Sequence, residues 1–285
     1  MVRAIDVHVH PGCMEMAEAS GKYAESAVKY FGLDPETLLM GMEDTAKEYR
    51  DLDMMAVLLA WDAESNTGLP RLTNDFIARN VKEFPEVFLG FASVDPWKGK
   101  MAIAEVERAI EELGLIGVKF QQSAQAFYPD DERFYPLWQK ISDLGVPALF
   151  HMGTTGFGAY APGGYGIKLG YSRPIPHVDN VAADFPDLSV ICAHPGWPWE
   201  EEVLAIAMHK TNVFMDLSGW TPKAIPKSVI KQANRGLADR YMFGTDYPVL
   251  RPGYWVEAFE QVDFKDEVRP KILLENAKRI LKLDV

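Results

Sequence analysis

The sequence predicts a (β/α)₈ TIM barrel in one domain spanning residues 1–285, and three observations predict it. Apolar segments of strand character alternate eight times with amphipathic segments of helical period. The strands read as near-continuous apolar runs, as parallel strands covered by helices on both faces must. The length, 285 residues, suits the roughly 250 that eight such units occupy. The main competitor, an open doubly wound sheet, would carry a Gly-rich phosphate turn after its first strand. Here the first strand runs into Pro11-Gly12-Cys13 instead.

The first strand is Ala4 to His10, with helical content from Met14 to Phe31 after it. Asp34-Pro35 reads as an N-cap and first-turn proline opening a helix to about Arg50. Strand two, Met54 to Trp61, leads through a polar loop at Asn66 and Gly68 to a helix over Asn74 to Phe84. Strand three, Phe88 to Val94, is closed by Asp95-Pro96 and followed by a helix over Met101 to Leu113, whose Ile103, Val106, Ile110 and Leu113 share one face. Strand four, Ile116 to Gln121, precedes a helix over Asp131 to Leu144. Strand five, Val146 to His151, opens into a long Gly- and Tyr-rich loop, Met152 to Arg173, and a helix over Pro176 to Phe185. Strand six is Ser189 to His194, with a helix over Glu200 to Lys210. Strand seven is Val213 to Leu217, with a helix over Ile225 to Arg235. Strand eight is Tyr241 to Asp246, and helices over Tyr254 to Val262 and Asp266 to Leu283 finish the chain.

Composition excludes several classes. A net charge of −12 argues against nucleic acid and anionic membranes as partners. No run of about 18 apolar residues is present, so no membrane span is expected. The start, Met1-Val2-Arg3-Ala4, lacks an apolar signal region. Two cysteines, Cys13 and Cys192, make no disulfide framework. A cytoplasmic protein acting on a small molecule is the expectation.

In a barrel of this kind chemistry sits at the C-terminal ends of the strands. Those ends carry His8 and His10 on strand one, Lys119 and Gln121 on strand four, His151 on strand five, His194 on strand six and Asp246 on strand eight. His8 and His10 are two residues apart, so they share a strand face. Each residue alone has a plain structural reading: a His-x-His pair can be a surface pair, a strand-end histidine a packed one, and Asp246 before Tyr247-Pro248 a turn cap. Their recurrence at one end of strands one, five, six and eight is what points to a shared cation. Neutral imidazoles with one carboxylate suit Zn²⁺ first, and also Mn²⁺, Fe²⁺ or Co²⁺. The remaining histidines have structural readings: His177 as a capping or packing residue, His209 as a solvated residue near a helix C-terminus. Cys192, two residues before His194, is expected inside the barrel one layer lower, and Cys13 in a structural role.

On these residues the sequence resembles the amidohydrolase superfamily, in the amidohydrolase-2 branch that contains aminocarboxymuconate-semialdehyde decarboxylase. The stretches that carry the resemblance are Ile5-Asp6-Val7-His8-Val9-His10-Pro11, Gly117-Val118-Lys119-Phe120, Val146 to Gly153, Val190-Ile191-Cys192-Ala193-His194-Pro195-Gly196, Phe243-Gly244-Thr245-Asp246-Tyr247-Pro248 and Leu274-Glu275-Asn276-Ala277. The resemblance implies that His8, His10, His151 and Asp246 bind one divalent metal, and that His194 acts beside it with Asp246. Lys119 then faces the substrate rather than being carboxylated to bridge two metals.

Trp61, Phe157, Tyr160, Tyr165, Trp197, Trp199, Trp220 and Tyr247 all follow strands, which suggests a pocket for a flat or apolar organic acid. Trp61, Lys119, Arg173, Trp197 and Tyr247 are the expected substrate contacts. Arg173 heads the anion partners, ahead of Arg71, Lys168 and Arg251, because its loop can fold over the metal. The intact His8-x-His10 pair and compact length favour a metal-dependent hydrolase, in which activated water attacks an ester, lactone, amide or activated carbon–carbon bond. The alternative is non-oxidative decarboxylation of an aromatic or muconate-type acid. A catalytically idle barrel is a third reading, and a homodimer is a further expectation.

Overall fold

A computed structural model describes residues 2–285 and shows eight parallel strands paired in sequence order, β1 to β8. The elements are β1 (Ala4–Val9), α1 (Met14–Ser20), α2 (Lys22–Phe31), α3 (Met42–Asp51), β2 (Met54–Leu59), α4 (Glu64–Thr67), α5 (Asn74–Glu83), β3 (Phe88–Ser93) and α6 (Lys100–Glu111). There follow β4 (Val118–Phe120), α7 (Gln122–Gln125), α8 (Tyr135–Asp143), β5 (Ala148–His151), α9 (Asp179–Asp184), β6 (Val190–Ala193) and α10 (Glu200–His209). The chain ends with β7 (Val213–Asp216), α11 (Lys227–Ala233), β8 (Tyr241–Met242), α12 (Pro252–Phe259) and α13 (Asn276–Ile280). Backbone bonds close the last strand onto the first: Val7 N–H donates to Phe243 O at 3.0 Å, Asp246 N–H to His8 O at 3.0 Å and His10 N–H to Tyr247 O at 2.9 Å. The predicted TIM barrel is therefore the observed fold.

Two apolar layers follow from strand alternation. One fills the barrel interior with Ile5, Val7, Val57, Leu59, Phe91, Leu149, Ile191 and Met242. Ala277 and Ile280 of α13 join this layer together with Val2 and Ile116, which precede their strands. The C-terminal helix thus plugs the end of the barrel where the strands begin, and leaves the other end open. The second layer packs the outer strand faces against helices, through residues such as Tyr49, Ile77, Val106 and Trp138. Burying each large apolar side chain contributes about 1.5–3 kcal/mol.

Several expected elements come out shorter. The helix read from Asp34 divides into a 3₁₀ turn, Pro35–Leu39, and α3, with Gly41 between them. Asp34 does cap that turn, accepting the Glu36 N–H at 3.1 Å. The helix read over Pro176 to Phe185 opens as a wide turn through Val178 and becomes α-helical at Asp179; Ile175, between two prolines, is extended and precedes it. The closing helix is a wide turn, Lys271–Glu275, followed by α13. Strand eight ladders only over Tyr241–Met242, because the chain beyond it turns to deliver Asp246. Among the described residues, no helix is long and apolar enough to cross a membrane.

Candidate metal centre and active-site cavity

The open end of the barrel gathers the predicted imidazoles, but not by alternation alone. The β1/β2 register shifts between Asp6 and Val9. Ile5 and Val7 face the interior while Val9 lies in the outer layer, so a bulge turns His8 inward. Bulges near active sites re-aim a side chain in this way. His194 and Asp246 are the first residues out of the β6 and β8 segments to take left-handed backbone, at φ 67° and 62°. His and Asp tolerate that region better than most residues. Each is fixed by a backbone bond: His194 N–H donates to Asp216 Oδ1 at 3.0 Å and Asp246 N–H to His8 O at 3.0 Å. Cys192, expected inside the barrel, packs in the outer layer with Val190. His194 reaches the site because its own backbone turns over, not because it lies two residues beyond Cys192.

The hydrogen-bond partners determine which ring nitrogens carry protons. His8 Nδ1 lies 3.0 Å from Asp216 Oδ2, so it donates, and its bare Nε2 faces Asp246 Oδ1 at 3.3 Å. His194 Nδ1 lies 3.0 Å from the Ser218 carbonyl, which leaves its Nε2 bare. His151 Nε2 lies 3.0 Å from the Thr154 carbonyl, which leaves its Nδ1 bare. The two bare nitrogens, His194 Nε2 and His151 Nδ1, are 3.0 Å apart. His10 Nε2 stands 3.4 Å from the same Asp246 Oδ1, and its buried Nδ1 has no partner among the described residues. Donor atoms of His8, His194 and Asp246 lie within 4.8 Å of one another.

Lone pairs that face each other across a buried space repel unless a cation lies between them. The residues present therefore fit a divalent ion: imidazole nitrogens and one carboxylate, with His8, His151 and His194 each held by an outer hydrogen bond, as metal-binding histidines commonly are. Burial drives the charge state the same way. It lowers the His8 pKa to about 3, helped by the Lys119 charge and opposed by Asp216 and Asp246. Burial also lowers His151 and His194, the former aided by His194 and Lys119. Burial alone would raise Asp246, but its bond to His10 and the fields of His194, His8 and His10 hold it well below the usual carboxylate range. Neutral nitrogens with an ionised carboxylate are the forms that ligate.

The sequence did not single out Asp216. It ends β7 fully buried and accepts from His8 Nδ1, His194 N–H, Ser218 N–H and Ser218 Oγ. Those donors hold it ionised despite burial. Asp6, also unremarked, sits on the outer side of β1 and accepts from Tyr49 Oη, Thr245 N–H, Thr245 Oγ1 and His8 N–H. Burial pushes its carboxyl up to about 7 against those bonds. The signal available for both was a carboxylate inside an apolar strand, which is tolerated only where donors converge. Gly219 is the third omission. Its φ is 74°, and a Cβ there would lie 3.0 Å from His194 Nδ1 and 3.2 Å from Asp246 Oδ2, so a side chain would crowd both groups.

A cavity of about 620 Å³ opens above this centre. Trp61, Lys119 and Trp197 line it, as expected, with Gln121, Phe157, Tyr160 and Trp220. Lys119 is buried, its Nζ 3.3 Å from His8 Nε2, and burial lowers its pKa to about 8 against the fields of Asp216 and Asp246. Two expected substrate contacts are corrected. Arg173 does not line the cavity; its guanidinium is exposed and paired with Glu202 at 2.7 Å. Tyr247 is fully buried behind the wall, its ring 6.0 Å from that of Tyr49. Arg71 and Arg251 pair with Glu64 and Glu48. Among the described residues Lys119 is the one Lys or Arg of the lining. His177 pairs with Asp130 at 2.7 Å, away from the cavity, and His209 is exposed at the end of α10.

Comparison with known proteins gives matches over the whole barrel. A family model described as amidohydrolase (Amidohydro_2) matches residues 5–283. Gamma-resorcylate decarboxylase from Polaromonas sp. (strain JS666 / ATCC BAA-500) is 23% identical over 273 residues, 82% of this chain and 82% of that protein. The crystal structure of an uncharacterised TIM-barrel protein, Bb4693 from Bordetella bronchiseptica, is 26% identical, covers 98% of both chains and superposes with a TM-score of 0.82. A dihydroxybenzoic acid decarboxylase from Polaromonas sp. JS666, solved with manganese and the inhibitor 2-nitroresorcinol, is 21% identical, covers 99% of this chain and 98% of its own, and has a TM-score of 0.70. This last likeness speaks for the fold alone.

Proposed function

The chain belongs to the amidohydrolase family, and on that premise we propose that it is a metal-dependent decarboxylase releasing CO₂ from a small aromatic or similarly unsaturated acid. One observation carries the reading: a buried imidazole–carboxylate centre at the floor of an aromatic-lined cavity whose single lining cation, among the described residues, is Lys119. Such a floor suits one anionic head on a flat body. The resemblance to a decarboxylase across 82% of both chains supports this chemistry over hydrolysis, which the sequence alone had favoured.

The proposed ligands are His8, His10, His151 and Asp246, with His194 beside them. When bound, a divalent cation supplies a Lewis acid that polarises substrate oxygens. The chain's own residues do the rest. Lys119 ammonium pairs with a carboxylate or phenolate oxygen. Trp61 and Trp197 flank the ring. A proton must reach the ring carbon that bears the carboxylate before the carbon–carbon bond breaks. The ionised Asp246 and the bare His194 Nε2 first take that proton from the substrate's own hydroxyl or carboxyl group and then pass it to the carbon. The bond's electron pair then returns to the ring, and CO₂ leaves. Asp216 keeps His8 and His194 oriented through both transfers.

Mn²⁺ and Zn²⁺ are the ions to load, since imidazole and carboxylate donors suit both. The metal-loaded protein, incubated with 2,6-dihydroxybenzoate and related hydroxybenzoates, is expected to release CO₂ from at least one acid in proportion to bound metal. No CO₂ from any acid, together with turnover of an ester or lactone that takes oxygen from labelled water, would return the assignment to hydrolysis.

A further inference from the structure

We propose that the acid carries a long apolar substituent, with its carboxylate at the metal centre and the substituent lying along a wall built by α1 and α2. The inference rests on the decarboxylase reading for the identity of the head group, but the wall itself is independent of it.

The first argument is size. A cavity of about 150 Å³ holds a benzene ring, and this one measures about 620 Å³. A hydroxybenzoate alone would leave most of it to water. The second is how polarity is distributed. Lys119, Gln121, His151, His194 and Asp246 line one region. The helical side is presented by Met16, Ala17, Ala24, Ala27 and Phe31. The charged residues of these helices, Glu15, Glu18, Lys22, Glu25 and Lys29, are not in the lining. A second carboxylate directed there would meet no cation, and desolvating it unpaired is strongly unfavourable. The site thus selects a monoanion with an apolar extension over a dicarboxylate.

The third argument is continuity. A run of rings leads outward from the centre. His10 and Trp61 have centroids 6.2 Å apart, and Trp61 and Phe157 4.7 Å apart. Gly156, next to Phe157, has no side chain where a Cβ would sit 2.6 Å from Phe31 Cε2 and 3.3 Å from Ala27 Cα. That absence lets α2 close directly on the loop after β5. Phe31 leads to Tyr30 at 4.9 Å and Tyr30 to Tyr160 at 5.8 Å. Tyr160 is 70% exposed, which puts the end of the run at solvent. The run gives an extended chain a continuous apolar path from the floor to the mouth.

Benzoate and 4-pentylbenzoate, which lack ring hydroxyls, serve as binding probes of the manganese-loaded protein by titration calorimetry. Each methylene transferred from water to an apolar wall favours binding by about fourfold, so 4-pentylbenzoate, with five added carbons, is expected to bind about thirtyfold tighter than benzoate if half of its tail is buried and up to about a thousandfold tighter if all of it is. Ala24→Phe fills the wall and should cut that ratio to about threefold, leaving benzoate affinity unchanged. Ala17→Phe repeats the test from α1 should the first variant misfold. Equal affinity of the two probes in the unaltered protein, or an undiminished ratio in both variants, overturns the proposal. CO₂ release from hydroxybenzoates is scored separately. Tail preference without CO₂ release would sink the decarboxylase reading and keep the wall; CO₂ release without tail preference would do the reverse.

Discussion

The floor of the cavity and its helical wall are built on opposite plans. The floor stands on strand ends, and its buried groups are tied down several times over: Asp216 accepts from two histidines and from Ser218 twice, and Asp6 from Tyr49, Thr245 and the His8 backbone. The wall, α1 and α2, buries only Ala19, Ser20, Tyr23 and Ser26. It leans on the barrel through contacts such as Tyr23 stacked on Phe157 at 5.5 Å. Chemistry needs fixed geometry, and the floor supplies it. Substrate fit needs only shape and polarity, which a loosely tied wall can change without disturbing the centre.

The largest effects should come from the floor. Asp246→Asn removes the one carboxylate of the donor cluster while leaving its backbone bond to His8 O in place. CO₂ release is expected to fall by about 10³-fold or more, with metal content by elemental analysis falling as well. Retention of activity would show that the floor is not where the reaction happens. His10→Asn and His194→Asn then separate ligand from proton carrier. Metal lost in the first and kept in the second supports the proposed set. The opposite pattern would replace His10 by His194, whose donor atom already clusters with those of His8 and Asp246.

Asp216→Asn tests the outer layer of the same floor. The amide cannot accept as two carboxylate oxygens do, and buried donors are left short. A loss of about 2–4 kcal/mol in unfolding free energy is expected, with metal affinity weakened by about 10–100-fold. Urea unfolding and metal titration measure the two. A variant that keeps both would mean that His8 and His194 hold their orientation without it.

The same contrast separates what was legible in the sequence from what was not. Strand positions were readable because each apolar run is buried on both faces, and the candidate site residues because His8, His10, His151, His194 and Asp246 recur at strand ends. The directions of those side chains were not readable. Alternation placed Cys192 and His194 on one face, whereas His194 itself takes left-handed backbone and turns away from the face of Cys192. Asp216 was hidden because one carboxylate in Val-Phe-Met-Asp-Leu looks like the end of a core strand. Arg173 was chosen because its loop could fold inward; the loop does fold inward, with Gly156, Phe157 and Tyr160 lining the cavity. Arg173 itself stays outside, paired with Glu202. Periodicity reports burial, and only the tertiary partners decide where an end residue points.

The smallest expected effect compares floor and wall directly through the two cysteines. Cys13 sits where the chain passes from His10 into α1, and Cys192 lies behind the floor on β6. Burial raises both thiols, Cys13 to about 11 and Cys192 to about 12, the latter aided by the Asp216 charge. Raised values mean that both are protonated at pH 8, and that each thiolate fraction grows about tenfold per pH unit below its pKa. Labelling by N-ethylmaleimide should therefore be slow and should follow local opening. If the wall opens more readily than the floor, peptide mapping at pH 8 will find Cys13 modified well over about tenfold faster than Cys192, more than the difference of one pKa unit accounts for. A ligand that packs along α1 and α2, such as 4-pentylbenzoate, should slow Cys13 and leave Cys192 unchanged. Equal rates with and without it would mean that the wall is as firmly held as the floor, and the division of labour between them would have to be abandoned.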